Sequence, residues 1–332
     1  MNRCADQARH CARLCFLLLL ILLPPTRASA DAEDDFELAR NLFRDAGDYG
    51  TSAQLLAEFI RNHPGDTHLA DARLLLARSY ARSHRCADAV PAFEGFYDQH
   101  PDHLDVATAR REQADCLHAL GEFARAAAGY EEVQRRFSEG QFAAGSLLAA
   151  AADFARAGDL TNAVRAYDKL LTDYAAKPEA RRGRYRLAQL YFAGGNAAAA
   201  QTLLAALTES APGSDEARDA LLLVGNIHLV FHRAAAAGAA FDRLHEAFAG
   251  SAHSDSAYLD LADHHLARGR FDEAISGYQR GMEAIGRDTL AARARLGHAD
   301  ALRLSGQAAE SLAGYGALVA DGSPVRDLAR LG

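Results

Sequence analysis

One step of 37 residues runs through this 332-residue chain. From Gly47 it lands on His84, Gly121, Gly158, Gly195, His232, Gly269 and Gly306. Five residues after each anchor stand Ser52, Ala89, Ala126, Ala163, Ala200, Ala237, Ala274 and Ser311, all small. Nine after stand Leu56, Phe93, Tyr130, Tyr167, Leu204, Phe241, Tyr278 and Tyr315, all large. Seven before stand Arg40, Ala77, Ala114, Ala151, Ala188, Gly225, Ala262 and Ala299, small in all but the first. The count carries no insertion over eight units. A chain written this way is an array of copies of one supersecondary unit.

The unit follows from residue chemistry. Apolar residues on either side of the anchor recur at three and four, the spacing of a helix face. Each unit is therefore a helix, a turn and a second helix. Glycine suits the turn because it enters the left-handed region at little steric cost. Small residues at −7 and +5 let the two helices approach closely, and the large residue at +9 fills the space beside them. Pro64, Pro101 and Pro212 fall 17 after their anchors, where proline ends the second helix.

This pattern resembles the tetratricopeptide repeat, whose signature sets Trp, Leu-Gly, Tyr, Gly, Ala, Phe, Ala and Pro at fixed offsets. The seventh unit supplies Tyr258, Leu261-Ala262, His265, Gly269, Ala274 and Tyr278 at those offsets. The family's usual period is 34, so three extra residues are expected between units, in stretches such as 62–72 and 99–109. That longer, proline-punctuated spacing is similar to repeats of bacterial envelope proteins of the Tol-Pal accessory and outer-membrane assembly lipoprotein types. No lipobox and no N-terminal coiled coil accompany it here. The resemblance implies an all-α, right-handed α-solenoid of about eight repeats, continuous over 31–322, with 323–332 a short tail or capping turn.

Residues 1–30 read differently. Arg3, Arg9 and Arg13 precede an apolar run from Leu14 to Leu23, then Pro24, Pro25 and Ala28-Ser29-Ala30. That is the layout of a secretory signal cleaved after Ala30. The run is about ten residues, short of the roughly 20 that span a bilayer. The expected location is periplasmic or secreted, with no membrane span. The whole chain carries a net charge of −8, and loss of the leader's four arginines against one aspartate makes the remainder more acidic. An acidic chain without a basic stripe is unsuited to nucleic acid.

Several side-chain groups bear on function. His228 and His232 lie on one helical face, and His264, His265 and His298 follow. His228 and His265 occupy the −4 slot, where other units place Phe, Tyr or Leu, so they read as packing residues and no metal site is expected. Cys86 at +2 and Cys116 at −5 stand on elements that face each other in a stacked array. Two readings remain open for them: a disulfide, or two buried free thiols. ARRGRYR, 180–186, offers Arg182 and Arg186 as candidate anion contacts, against the alternative of a solvated helix face. The −6 residues, Asn41, Arg78, Asp115, Ala152, Gln189, Asn226, Asp263 and Asp300, are too acidic for the family's carboxylate clamp.

In the family the first helices line a concave groove. The −10 positions hold Leu74, Leu148, Tyr185, Leu222, Leu259 and Leu296, and the −3 positions hold Phe192, Leu229 and Leu266. The expected partner-binding groove comprises Tyr185, Gln189, Phe192, Leu222, Asn226, Leu229, Leu259 and Leu266. Left exposed, these rows form an interaction patch; packed between adjacent first helices, they are core. No nucleophile with its base, phosphate-cradling loop or carboxylate pair can be placed. The expectation is a non-catalytic, cofactor-free scaffold of the bacterial cell envelope that binds a protein or peptide partner. The alternative is a binding protein for peptidoglycan or exported polysaccharide.

Overall fold

A computed structural model describes residues 27–284 and 288–320. Most of the candidate leader, residues 1–26, and the tail 323–332 lie outside the described residues. Among the described residues there are sixteen α-helices and no strand. They form eight pairs: α1 (Arg27–Asn41) with α2 (Tyr49–Asn62), α3 (Leu69–Arg82) with α4 (Cys86–Gln99), α5 (Val106–Ala119) with α6 (Phe123–Arg136), and α7 (Ala143–Arg156) with α8 (Leu160–Asp173). Then come α9 (Pro178–Ala193) with α10 (Ala197–Ser210), α11 (Asp215–Val230) with α12 (Ala234–Ala247), α13 (Ala252–Leu266) with α14 (Phe271–Ala284), and α15 (Asp288–Leu304) with α16 (Ala308–Ala320). Every second helix begins two residues after its anchor, so these starts keep the 37-residue step without error. The helices divide into two compact units, residues 1–166 and 167–332. Within each unit consecutive helices pack on one another, and the fold is an α-solenoid.

The turn chemistry is uniform. All eight anchors are left-handed, with φ from 59° at His232 to 86° at Gly306. In seven of the eight turns the amide after the anchor donates to the carbonyl at −4, as Glu122 N does to Leu117 O at 2.9 Å and Arg233 N to His228 O at 2.8 Å. These are the orphan carbonyls that a helix C-terminus must satisfy. His84 and His232 reach the same region, at φ 60° and 59°, with a Cβ that glycine lacks.

Between the turns the helices cross on the small residues. Ala89, Ala126, Ala163, Ala200, Ala237 and Ala274 at +5 are wholly buried, as are Ala77, Ala114, Ala151, Ala188, Ala262 and Ala299 at −7. The exception at −7, Arg40, has a structural cause. Residues Leu42–Ala46 form a π turn, and Asp48 N bonds to Leu42 O at 3.0 Å. That turn absorbs one residue, so Ala39 and not Arg40 takes the crossing position. Ala39 is wholly buried and its carbonyl accepts from Ser52 Oγ at 2.8 Å. In the last repeat Ser311 Oγ donates to Ala299 O at 2.9 Å, the same bond in unshifted register. The count is thus unbroken at the anchors but slips by one residue in α1.

A second device appears in repeats three, seven and eight. There the residue before the +9 tyrosine is Gly129, Gly277 or Gly314. A Cβ added to these would come within 3.2, 2.9 and 3.2 Å of Ala114, Ala262 and Ala299 at −7. In the same three repeats the tyrosine hydroxyl donates to the −6 aspartate: Tyr130 to Asp115 at 2.6 Å, Tyr278 to Asp263, and Tyr315 to Asp300. Glycine lets the second helix settle on the first, and the phenol then reaches across it.

The extra residues of the long period lie partly where expected. In the first unit the linkers between repeats are six residues long, at 63–68, 100–105 and 137–142, while in the second unit 174–177, 211–214 and 248–251 are four long. The first helices compensate, with α9 and α11 at 16 residues against 14 for α3, α5 and α7.

Two substitutions separate conformation from space. A Cβ at Gly121 meets nothing within 4 Å, but φ is +78°. Gly121→Ala is expected to cost about 1 kcal/mol through the backbone alone. At Gly225 a Cβ would stand 2.0 Å from Phe241 Cε1. Gly225→Ala is expected to cost about 1–3 kcal/mol or more through overpacking. Chemical denaturation measures both, and equal, negligible losses would contradict this account of the turn and the crossing.

Candidate functional site

The face proposed from the sequence lies in the second unit, on α9, α11 and α13. Tyr185, Gln189 and Phe192 recur at four and three on α9, and Leu222, Asn226 and Leu229 do so on α11, so each trio shares one helix face. Successive first helices touch one another, α9 with α11 and α11 with α13. The residues of both trios are half-buried. Tyr185 and Phe192 pack against a core of Ala188, Leu204, Leu207 and Ile227. Leu222 and Leu229 pack against Leu221, Phe241, Leu244 and Tyr258. Each row is therefore core on one flank and surface on the other. Leu266 is likewise half-buried against Tyr278 and its neighbours. Leu259 is different: it is wholly buried in that cluster and offers no surface, so it leaves the candidate groove. Burial, and then the charge of Asp219, raise the Tyr185 phenol above its ordinary value.

The arginines of α9 are answered by neighbours. Arg182 Nε lies 3.5 Å and Arg181 Nε 3.8 Å from the Glu216 carboxylate on α11. Arg186 donates to Gln189 Oε1 at 3.2 Å, and Arg184 to Ser210 Oγ at 3.2 Å. Arg218 is held by Asp215 at 2.7 Å and Asp219 at 3.0 Å. As anion contacts Arg182 and Arg186 would have to give up or share these partners.

Sequence reasoning missed the end of α11. Val230 and Phe231 are 58% and 48% exposed and continue directly from Leu229. The signal was present: the −2 and −1 positions are both large and apolar in repeat six, whereas other repeats place Arg, Ala, Gly or Ser in at least one of them. The role of the acidic −6 residues was not foreseen either: Asp115, Asp263 and Asp300 are acceptors for the +9 tyrosines.

In the first unit, Cys86 and Cys116 come together, with Sγ atoms 3.0 Å apart and both thiols free. They line a cavity of about 410 Å³ with Arg78, Arg111, Glu112 and Asp115.

Four histidines of the second unit sit in the packing, whereas His232 is exposed at its turn. His228, His264, His265 and His298 are half-buried. His228 Nδ1, His265 Nδ1 and His298 Nε2 are buried without a hydrogen-bond partner. Among the described residues no group of three or more His, Cys, Asp or Glu side chains is placed to hold a metal ion. Burial pushes all four imidazoles below their ordinary value, and Arg233 beside His228 and Arg268 beside His264 add to the effect. The unfolded chain takes up protons near pH 6.5 while the folded chain resists them, so the unfolded state binds more protons below that pH. Stability is present in full above about pH 6.5 and falls with pH beneath it. The thermal midpoint is expected to drop between pH 7.5 and 5.5, and a constant midpoint across that interval would refute it.

Two stretches of this helix-pair array match the tetratricopeptide repeat. Two family models described as tetratricopeptide repeat match the chain, over residues 74–140 and 154–222. Neither carries the finer resemblance to Tol-Pal accessory proteins. No curated protein matches the chain. Similar solved structures include a tetratricopeptide repeat protein from Parabacteroides merdae, at 16% identity and a TM-score of 0.47, covering 79% of this chain and 98% of that one. MamA from Desulfovibrio magneticus is similar at 15% identity and a TM-score of 0.44, covering 55% and 97%. PilW, a widely conserved type IV pilus biogenesis factor, is similar at 18% identity and a TM-score of 0.43, covering 68% and 97%. Among the described residues no helix is long and apolar enough to cross a membrane.

Proposed function

We propose that this chain is a non-catalytic scaffold of the bacterial cell envelope, exported and cleaved after Ala30, which holds a segment of a partner protein against the first-helix face of its second unit. The class of protein supports the scaffold role, because stacked helix pairs create extended binding surfaces and need no catalytic group. The observation that carries the site is the run Leu229-Val230-Phe231. Two large apolar side chains are about half exposed there, next in sequence to Leu229 of the half-buried row. Exposed apolar surface next to a fixed framework favours a protein segment. A sugar polymer would be better served by several free aromatic faces, whereas Phe231 is one half-exposed ring and Tyr185 and Phe192 are partly packed on the core. The leader, a short apolar run before Ala28-Ser29-Ala30, supports the export.

The test is capture of a partner from envelope extract with cross-linking. Phe231→Asp alters an exposed side chain and is expected to leave the fold intact while capture falls about tenfold or more. Phe192→Ala is expected to lose about 2 kcal/mol of binding, roughly 30-fold. Circular dichroism of the same samples separates lost binding from lost folding. Unchanged capture by folded Phe231→Asp and Phe192→Ala would move the binding surface elsewhere. Intact mass of the protein from cells should begin at Asp31, and retention of residues 1–30 would refute export by cleavage.

A further inference from the structure

The Cys86–Cys116 pair stands apart from the proposed binding face. It lies in the first unit, where Cys86 opens α4 in repeat two and Cys116 sits in the last turn of α5 in repeat three. The Sγ atoms are 3.0 Å apart, about 1 Å more than a disulfide bond and too near for undisturbed van der Waals contact. The two thiols are not equivalent. Cys116 is 4% exposed, whereas Cys86 is only half-buried. Both line the cavity, which gives a reagent a way in. Of the eight repeats, only the second carries cysteine at +2 and only the third at −5, so the pairing falls at one junction.

We infer that Cys86 and Cys116 are a dithiol that closes to an intrachain disulfide by exchange with an external disulfide, tying repeat two covalently to repeat three. The Cys86 thiolate attacks one sulfur of the external disulfide. That bond breaks, and the departing thiolate carries off the electron pair and is protonated. Cys116 then loses its proton and attacks Cys86 Sγ, expelling the second external thiolate. Two protein thiols are oxidised by two electrons, and one external disulfide is reduced to two thiols. The order follows from access and acidity. Burial, then the contact with Cys86, raise the Cys116 thiol far above its ordinary value, so it is the poorer first attacker. Its attack on Cys86 is short-range and needs no diffusion. The chemistry is independent of the binding face, and the proposed export would bring the chain to a compartment that supplies disulfides.

The full chain, reduced and freed of reductant, is incubated with oxidised glutathione, quenched with a maleimide and cut with trypsin without reduction. The expected product joins the peptides 86–110 and 112–125, less two hydrogens. Cys116→Ala should instead hold glutathione on Cys86, and Cys86→Ser should leave Cys116 unmodified over the same interval. Oxidised wild type is expected to melt roughly 5 °C above its reduced form, with no such shift in Cys86→Ser. Stable glutathione on Cys86 of the wild type would overturn the inference. So would cross-links to Cys4, Cys11 or Cys15 in place of the pair, or an oxidised form that melts no higher. Equal reactivity of Cys116 in Cys86→Ser would overturn the order of attack.

Discussion

The close crossing of two helices on alanine is the contact on which the rest of this structure depends. At −7 and +5 there is no side chain to spare: six of eight residues in each slot are wholly buried alanines. A helix pair that touches through Cβ atoms brings its backbones near enough for side chains at other positions to cross from one helix to the other. The serines of the first and last repeats show how near, since their hydroxyls reach a carbonyl of the opposite helix at 2.8 and 2.9 Å. The left-handed anchor serves the same contact by reversing the chain within three residues. The bulky +9 residue is its complement, and Gly225 under the Phe241 ring shows the same trade between a small partner and a large one.

The polar chemistry follows from that geometry. Where glycine at +8 draws the helices together, the tyrosine hydroxyl emerges at the far side and meets an aspartate. Where +8 is leucine and +9 leucine, as in repeat five, the −6 residue is Gln189. It is then free to meet Arg186 on its own helix. The acidic residues of the −6 row thus answer the tyrosines at +9 on the paired helix. This pairing explains why three of the repeats carry carboxylates where a clamp for a carboxylate ligand would need donors.

Much of this was legible in residue spacing. The anchors, the small crossing residues and the starts of the second helices all follow from the 37-residue step, because each demands one residue type at one place. Arg40 was visible as an exception but not as a slip, since a π turn leaves no mark in composition and adds no residue to the count. The half-burial of Tyr185 and Phe192 could not be read either. Spacing fixes the face on which a residue lies, but how deep that face sits depends on how closely neighbouring first helices approach. Leu259 and Leu222 hold the same slot in adjacent repeats, yet one is wholly buried and the other is not. The meeting of Cys86 and Cys116 was foreseeable as a pairing of facing elements; their separation was not.

The tight helix contacts all join elements that are adjacent in the chain or one element apart. Such a molecule has a short memory along its sequence. Each hairpin of helices can find its partners without waiting for distant segments, so folding can begin at several places and spread from repeat to repeat. Loss of structure is equally local, and a frayed repeat need not melt the next one but one. A covalent tie between repeats two and three would interrupt that independence at one junction, turning two separately melting segments into a single cooperative block from which order can propagate in both directions.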